Sequence, residues 1–262
     1  MTGRHRVAPP PPPRRVDWPR GRKALRSLIA DPEQTHQVFE LIEALAGNAG
    51  ERHFQRFLAH PGSEPLLRDK PDLLAALGDL DHLASLPSDS LGASYLRFMR
   101  EGGIDARGIV DASDQIERED LGLDPDRAWF FDRVRDMHDL WHVLTGYGRD
   151  VAGEAANLAF TYAQVRNRGV GLIVLSSAYL GPWALDAHWP RYLWRAYRRG
   201  RRADVLSAAP YETMLALPLS EACRRLRIEP APLAHPRGIL VDREGSLLAT
   251  PAPAFDEGPG AA

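Results

Sequence analysis

The sequence predicts an all-α protein, a single multi-helix domain with a tail at each end. Three observations carry this. Between residues 24 and 228 apolar residues recur at helical spacing, in segments bounded by capping residues, glycine and proline. The stretch Trp129–Gln164 reads as two helices joined by a short turn at Gly146-Tyr147-Gly148. Only GILVDREGSLL, residues 238 to 248, looks like a β-hairpin, and no internal repeat is visible.

Composition narrows the function classes. A hydrophobic fraction of 44% and a charged fraction of 26% over 262 residues belong to a globular domain of ordinary to large size. A formal net charge of −2, with no domain-wide basic excess, argues against nucleic acid as a partner. The single cysteine, Cys223, rules out an internal disulfide and fits a reducing compartment. Its neighbours Ala222, Arg224 and Arg225 read as an ordinary helix, so Cys223 is not taken as a nucleophile.

In chain order, residues 1–23 are basic and carry Pro9 to Pro13, and are expected to form a disordered tail. They show no apolar signal core, and polyproline cannot form an amphipathic transit helix. Asp31-Pro32 supplies an N-cap and a first-turn proline for a helix with Val38, Phe39, Leu41, Ile42 and Leu45 on its apolar face, ended by Gly47. Phe54, Phe57 and Leu58 continue the pattern to Pro61, and residues 64–78 form two short helices broken at Pro71. Ser88-Asp89-Ser90 caps a helix bearing Tyr95, Leu96 and Phe98. Residues 101–125 read as irregular, with a short helical piece near Asp114 to Asp120.

Past the central hairpin, residues 170–185 are strongly apolar. They are too short, and too interrupted by Gly171, Gly181 and Pro182, for a bilayer span of about 20 residues, so no transmembrane helix is expected. A buried helix lining an apolar pocket is expected instead. HWPRYLWRAYRRGRR, residues 188–202, sets Trp189, Tyr192, Leu193 and Tyr197 near one face and its arginines mostly elsewhere. Two readings stay open: an interfacial helix on anionic lipid, or a solvated arginine face with its aromatics in the core. Helices near 210–217 and 219–227 complete the domain, and residues 229–262 form a C-terminal extension with a mobile Pro/Gly end.

The chemistry concentrates in the central hairpin. His138, Asp139 and His142 read H-D-x-x-H, and Glu154 follows the second histidine by twelve residues. On a helix the two histidines lie about 40° apart in projection and one turn apart along the axis, with Asp139 near the same face. Glycine ends the first helix, Asp150 caps the second, and the short turn brings Glu154 beside His142. Two imidazoles and two carboxylates so placed are candidate ligands for a divalent metal: zinc first, with iron or manganese also suited. H-D-x-x-H also has the spacing of the zinc peptidase H-E-x-x-H, but aspartate is one methylene shorter and the tight turn leaves little room for a substrate strand.

With the motif goes a family resemblance. H-D-L-W-H, eleven further residues and glutamate resemble the signature of the coenzyme Q (ubiquinone) biosynthesis protein 4 family. R-V-R-D-M before His138, L-P-S-D-S-L-G-A-S-Y-L-R-F-M at 86–99, A-F-T-Y-A-Q after the glutamate and Y-E-T-M-L-A-L-P-L near the end are similar to it too. Weaker likeness at D-P-E-Q-T and L-L-R-D-K-P extends the coverage to roughly residues 24–228.

The resemblance implies an all-helical protein that self-associates as a homodimer, sits peripherally on a membrane surface and works beside other ubiquinone biosynthesis proteins. Its place is then the cytoplasm or the inner face of a bacterial membrane. It implies a divalent metal, usually zinc, held by His138, Asp139, His142 and Glu154. The implied reaction removes the carboxyl from ring carbon one of a polyprenylated 4-hydroxybenzoate, with hydroxylation there in the oxidative version. Asp139 and Glu154 are then the catalytic candidates. Arg135, three residues before His138, is positioned to grip the substrate carboxylate, against an ordinary salt bridge to Asp132 or Asp136. The rival reading is a non-catalytic lipid- and quinone-precursor-binding scaffold whose metal only staples the hairpin; a fully closed ligand set would mark it.

Overall fold

The computed structural model describes residues 7–30, 35–103, 123–184, 189–229, 239–241 and 247–249. Short helices dominate the first half because proline and small polar residues keep interrupting the chain. They are α1 (Trp18–Ala30), α2 (Thr35–Ala44), α3 (Ala49–Leu58), α4 (Ser63–Asp69), α5 (Leu73–Gly78), α6 (Leu80–Ser85) and α7 (Leu91–Gly102). Side-chain caps set their starts: Asp72 accepts from the Ala75 N–H, Asp79 from that of His82, and Ser90 from that of Ala93. Each such cap is worth about 1 kcal/mol.

Longer helices make up the second half: α8 (Pro125–Asp136), α9 (His138–Thr145), α10 (Val151–Val165), α11 (Arg168–Ala184) and α12 (Trp189–Arg202). A 3₁₀ turn at Leu206–Ala208 leads to α13 (Tyr211–Met214) and α14 (Leu219–Arg225). An antiparallel pair, β1 (Ile239–Val241) with β2 (Leu247–Ala249), joins Leu240 opposite Leu248, where the hairpin-like stretch was expected.

The main core gathers Tyr95, Leu140, Trp141, Leu144, Phe160, Trp189, Leu193 and Tyr211. Phe54, Phe57 and Phe130 form a second cluster, and Ala24, Leu41 and Leu45 a third beneath α1. Helix α10 lies at the centre. The small residues Ala152, Gly153, Ala156, Ala159 and Ala163 on its buried side let neighbouring helices approach closely.

Buried arginines tie the layers together. Arg127 pairs with Glu51 and Asp124 and lies over the Phe54 ring; Arg133 pairs with Glu212 and donates to the Ala209 carbonyl. Removing one partner of such a buried pair costs about 3–5 kcal/mol. Cys223 lies in α14, buried, with burial pushing its thiol up to about 11, which fits a packing role.

Four expectations change. Helix α1 begins at Trp18, inside the stretch assigned to the N-terminal tail, because Asp17 caps it: its backbone N–H donates to the Ala44 carbonyl and its side chain accepts from the Arg20 N–H. Helix α11 is not buried all round: Leu175 (66% exposed), Tyr179 and Leu180 face outward. It packs on α10, α12 and α2 and has apolar residues on more sides than those three helices cover. On α12 the aromatics Trp189, Tyr192 and Tyr197 pack inward while Arg191, Arg195, Arg198, Arg201 and Arg202 are exposed, but Arg199 is buried. The single helix expected before the turn is broken at Met137, between α8 and α9. Asp31-Pro32 and most of residues 101–125 lie outside the described residues. Among the described residues no helix is long and apolar enough to cross a membrane.

Candidate metal centre

The site is built by the turn from α9 to α10. Gly146 ends α9 with φ +73°, a left-handed conformation that glycine adopts without the Cβ clash. Asp150 then caps α10, its carboxylate accepting from the N–H groups of Ala152 and Gly153. Gly153 has to be glycine, since a Cβ there would clash with the Gly148 carbonyl oxygen. That close approach folds the turn down onto the first turn of α10 and sets Glu154 against α9. Arg199 of α12 holds the turn from behind, donating to the Thr145 carbonyl at 3.0 Å with its guanidinium 5.1 Å over the Tyr147 ring.

His138, His142 and Glu154 converge, with one donor atom from each within 4.8 Å of the others. His142 is 1% exposed at its side chain and closes the inner wall; its Nδ1 faces the Tyr147 carbonyl at 3.1 Å, and the Phe98 ring stacks on it at 5.5 Å. The carbonyl can accept a proton held on Nδ1, so Nε2 is the nitrogen that faces Glu154 and would bind a cation. That Nε2 is buried without a well-formed hydrogen bond and lies 3.4 Å from Glu154 Oε2. Such a separation matches the ligand–ligand edge of a tetrahedral shell with bonds of about 2.1 Å, roughly 3.4 Å.

Asp139 does not join the cluster. Its Oδ1 lies 3.3 Å from His138 Nδ1, the carboxylate–histidine arrangement that orients an imidazole and leaves its other nitrogen for a metal. Burial works against charge at all three titrating partners, yet the mutual pairing wins at each. Burial raises Asp139, but its hydrogen bond to His138 and the surrounding positive charge leave it below the usual carboxylate range. Burial also raises Glu154, and the two imidazoles with Arg149 bring it below its usual value. Burial lowers His138, while Asp139 and Glu154 carry it above its ordinary value. Two imidazole nitrogens, a carboxylate and an oriented outer carboxylate fit a divalent cation of the zinc type.

Comparison with known proteins decides the family. The family model described as "Coenzyme Q (ubiquinone) biosynthesis protein Coq4" matches residues 22–232. The chain belongs to the Coq4 family of ubiquinone biosynthesis proteins. It is 29% identical over 204 residues to the mitochondrial ubiquinone biosynthesis protein COQ4 of Clavispora lusitaniae, a match covering 77% of this chain and 61% of that one. Against the corresponding Paracoccidioides brasiliensis protein it is 28% identical over 220 residues, covering 81% and 74%. This Coq4-family chain thus spans less than two thirds of the Clavispora relative. A crystal structure from Nostoc punctiforme, of a candidate ubiquinone biosynthesis protein, superposes with a TM-score of 0.58 at 21% identity over 81% of this chain and 98% of that one. That likeness shows a shared all-helical fold.

Arg135 does not reach the Coq4 site. Its guanidinium is engaged on its own helix by Asp132 at 3.1 Å and Asp136 at 2.9 Å. Arg133 is committed to Glu212. The arginine beside the cluster is Arg149, which sequence reasoning passed over. It is exposed, 5.7 Å over the Phe98 ring, and its charge is felt at His138, Asp139 and Glu154. Its place in the turn between Gly148 and the Asp150 cap was the available signal.

Proposed function

We propose that this chain is a metal-dependent decarboxylase of ubiquinone biosynthesis, acting at ring carbon one of a polyprenylated 4-hydroxybenzoate. One observation supports this over a scaffold. Three donors converge while Asp139 turns to His138, the pattern of a site with three protein ligands and a coordination position left for substrate. A structural staple would close its shell with a fourth side chain.

When bound, a divalent cation supplies a Lewis-acid charge for the substrate carboxylate. The chain's own groups do the positioning. The Tyr147 carbonyl and Asp139 fix which nitrogen each imidazole presents. Half-buried Phe98 and buried His142 form the inner wall, whereas Glu154 and His138, 39% and 29% exposed at their side chains, face the open side from which a ring enters. In the reaction a proton adds to ring carbon one. The carbon–carbon bond to the carboxylate then breaks, its electron pair returns to the ring, and carbon dioxide leaves. In the oxidative version the acid, dioxygen and water would give the ring hydroxyl, carbon dioxide and hydrogen peroxide, with dioxygen as the two-electron oxidant; iron would suit that chemistry, since zinc has no redox chemistry.

The same reading carries a peripheral seat on a membrane beside other quinone-building proteins, and self-association. The exposed Leu175 and Tyr179 on α11, and the exposed Trp194 and arginines on α12, support the membrane seat.

The test is genetic. In a host deleted for its own ring decarboxylase, the wild-type chain should restore quinone, and Glu154→Gln should fold yet accumulate the carboxylated precursor. Precursor accumulation with the wild-type chain as well would leave the scaffold reading standing.

A further inference from the structure

We infer that Arg149 is the specificity-determining residue of this site, the cation that receives the carboxylate of an aromatic acid. The inference rests on the function proposed above and names the group that selects an acid over the neutral phenol.

Charge balance sets the need. A divalent cation held by His138, His142 and Glu154, with Asp139 behind His138, has its charge cancelled by the two carboxylates. The centre is then neutral, and an incoming carboxylate requires a further cation to offset its desolvation. Arg127 and Arg133 are buried and spent on half-buried acids, and Arg135 is held by two carboxylates of its own helix. Among the described residues Arg149 has no ion pair, and it lies against the Phe98 ring that stacks on His142.

Geometry gives the slot. Arg149 lies 5.7 Å over Phe98, and Phe98 stacks on His142 with ring centroids 5.5 Å apart and planes 24° apart. Phe98 thus touches both the Arg149 guanidinium and the His142 imidazole, which puts the guanidinium beside the cluster. A guanidinium lying against a ring keeps its N–H edge free, and that edge accepts a carboxylate bidentately. The Arg149 backbone is also placed between Gly148 and the capping residue Asp150, in a turn held by Gly153 and Arg199.

The experiment compares two ligands on metal-replete protein by calorimetry: 3-geranyl-4-hydroxybenzoate and its decarboxylated counterpart, 2-geranylphenol. Wild type should prefer the acid. Arg149→Gln should weaken the acid about tenfold and move the phenol less than about twofold. Arg149→Lys should recover part of the preference, with metal content equal in all three proteins. If Arg149→Gln keeps the wild-type preference, or weakens both ligands alike, the inference is overturned while the proposed function stands. If wild type binds neither ligand, both fall together.

Discussion

His142 presents Nε2 to Glu154 at 3.4 Å while its Nδ1 faces the Tyr147 carbonyl at 3.1 Å. One imidazole therefore joins the helix end, the turn and the next helix, and its buried Nε2 is the nitrogen placed for a cation. Purified protein should carry about one divalent metal per chain, and His142→Ala or His138→Ala should release it. Asp139→Asn should retain it with affinity lowered about 10–100-fold, because it removes only an orienting partner. Elemental analysis with chelator competition measures both. Full metal content in both histidine variants would refute the site.

Gly153 governs how closely the turn lies on α10. Gly153→Ala should destabilise the protein by about 1–3 kcal/mol through overpacking against the Gly148 carbonyl. It should also loosen metal binding by displacing Glu154. Val151→Ala, at an exposed position in the same turn of α10, is the control and should do neither. Urea unfolding read beside metal titration separates the two effects; an unperturbed Gly153→Ala would mean that the turn is not held as described.

His53 gives the clearest dependence on pH. It is buried edge-on against Phe130, 5.1 Å between ring centroids, and burial, helped by the Arg56 charge, brings its pKa down to about 3. A histidine kept neutral in the fold but protonated when unfolded favours the unfolded chain below its ordinary value of 6.5. Its contribution to stability should fall as pH drops from about 6.5 toward 3, at about 1.4 kcal/mol per pH unit. His53→Phe should flatten that slope by one proton's worth in urea unfolding across the window. An unchanged slope would show that His53 titrates normally in the fold.

The exposed apolar residues of α11 and the exposed arginines of α12 predict salt-sensitive binding to anionic vesicles. Replacing Arg198, Arg201 and Arg202 by glutamine should weaken it, since screening and charge removal act on the same term. Arg199 belongs to the hairpin instead, and Arg199→Gln should lower stability. Vesicle co-sedimentation indifferent to both salt and these substitutions would mark the arginine face as merely solvated.

Much of this was legible in the sequence because it is local. Gly146, Asp150 and the twelve-residue step from His142 to Glu154 act within one hairpin, and Pro71 and Ser90 set breaks and caps by their own chemistry. What was not legible depends on distant partners. Periodicity shows that α11 is apolar but not how many of its sides find neighbours, so Leu175 and Tyr179 were expected inside. Arg199 looked like one more arginine on a basic face until the Thr145 carbonyl claimed it. Arg135 and Arg149 are both near His138 in sequence, and only the fold shows that Asp132 and Asp136 occupy the first while Phe98 presents the second. The role of Asp139 turned on a side-chain rotamer, and helical projection alone does not specify that.

The central claim is catalysis at the carboxylated ring, and release of labelled carbon dioxide tests it most directly. Metal-replete protein is incubated with 3-geranyl-4-hydroxybenzoate labelled at the carboxyl carbon, with zinc or iron, with and without air. Labelled carbon dioxide and loss of the ring carboxylate are expected with wild type, and neither with Glu154→Gln. Binding of the acid with no carbon dioxide released under any of these conditions would contradict that claim.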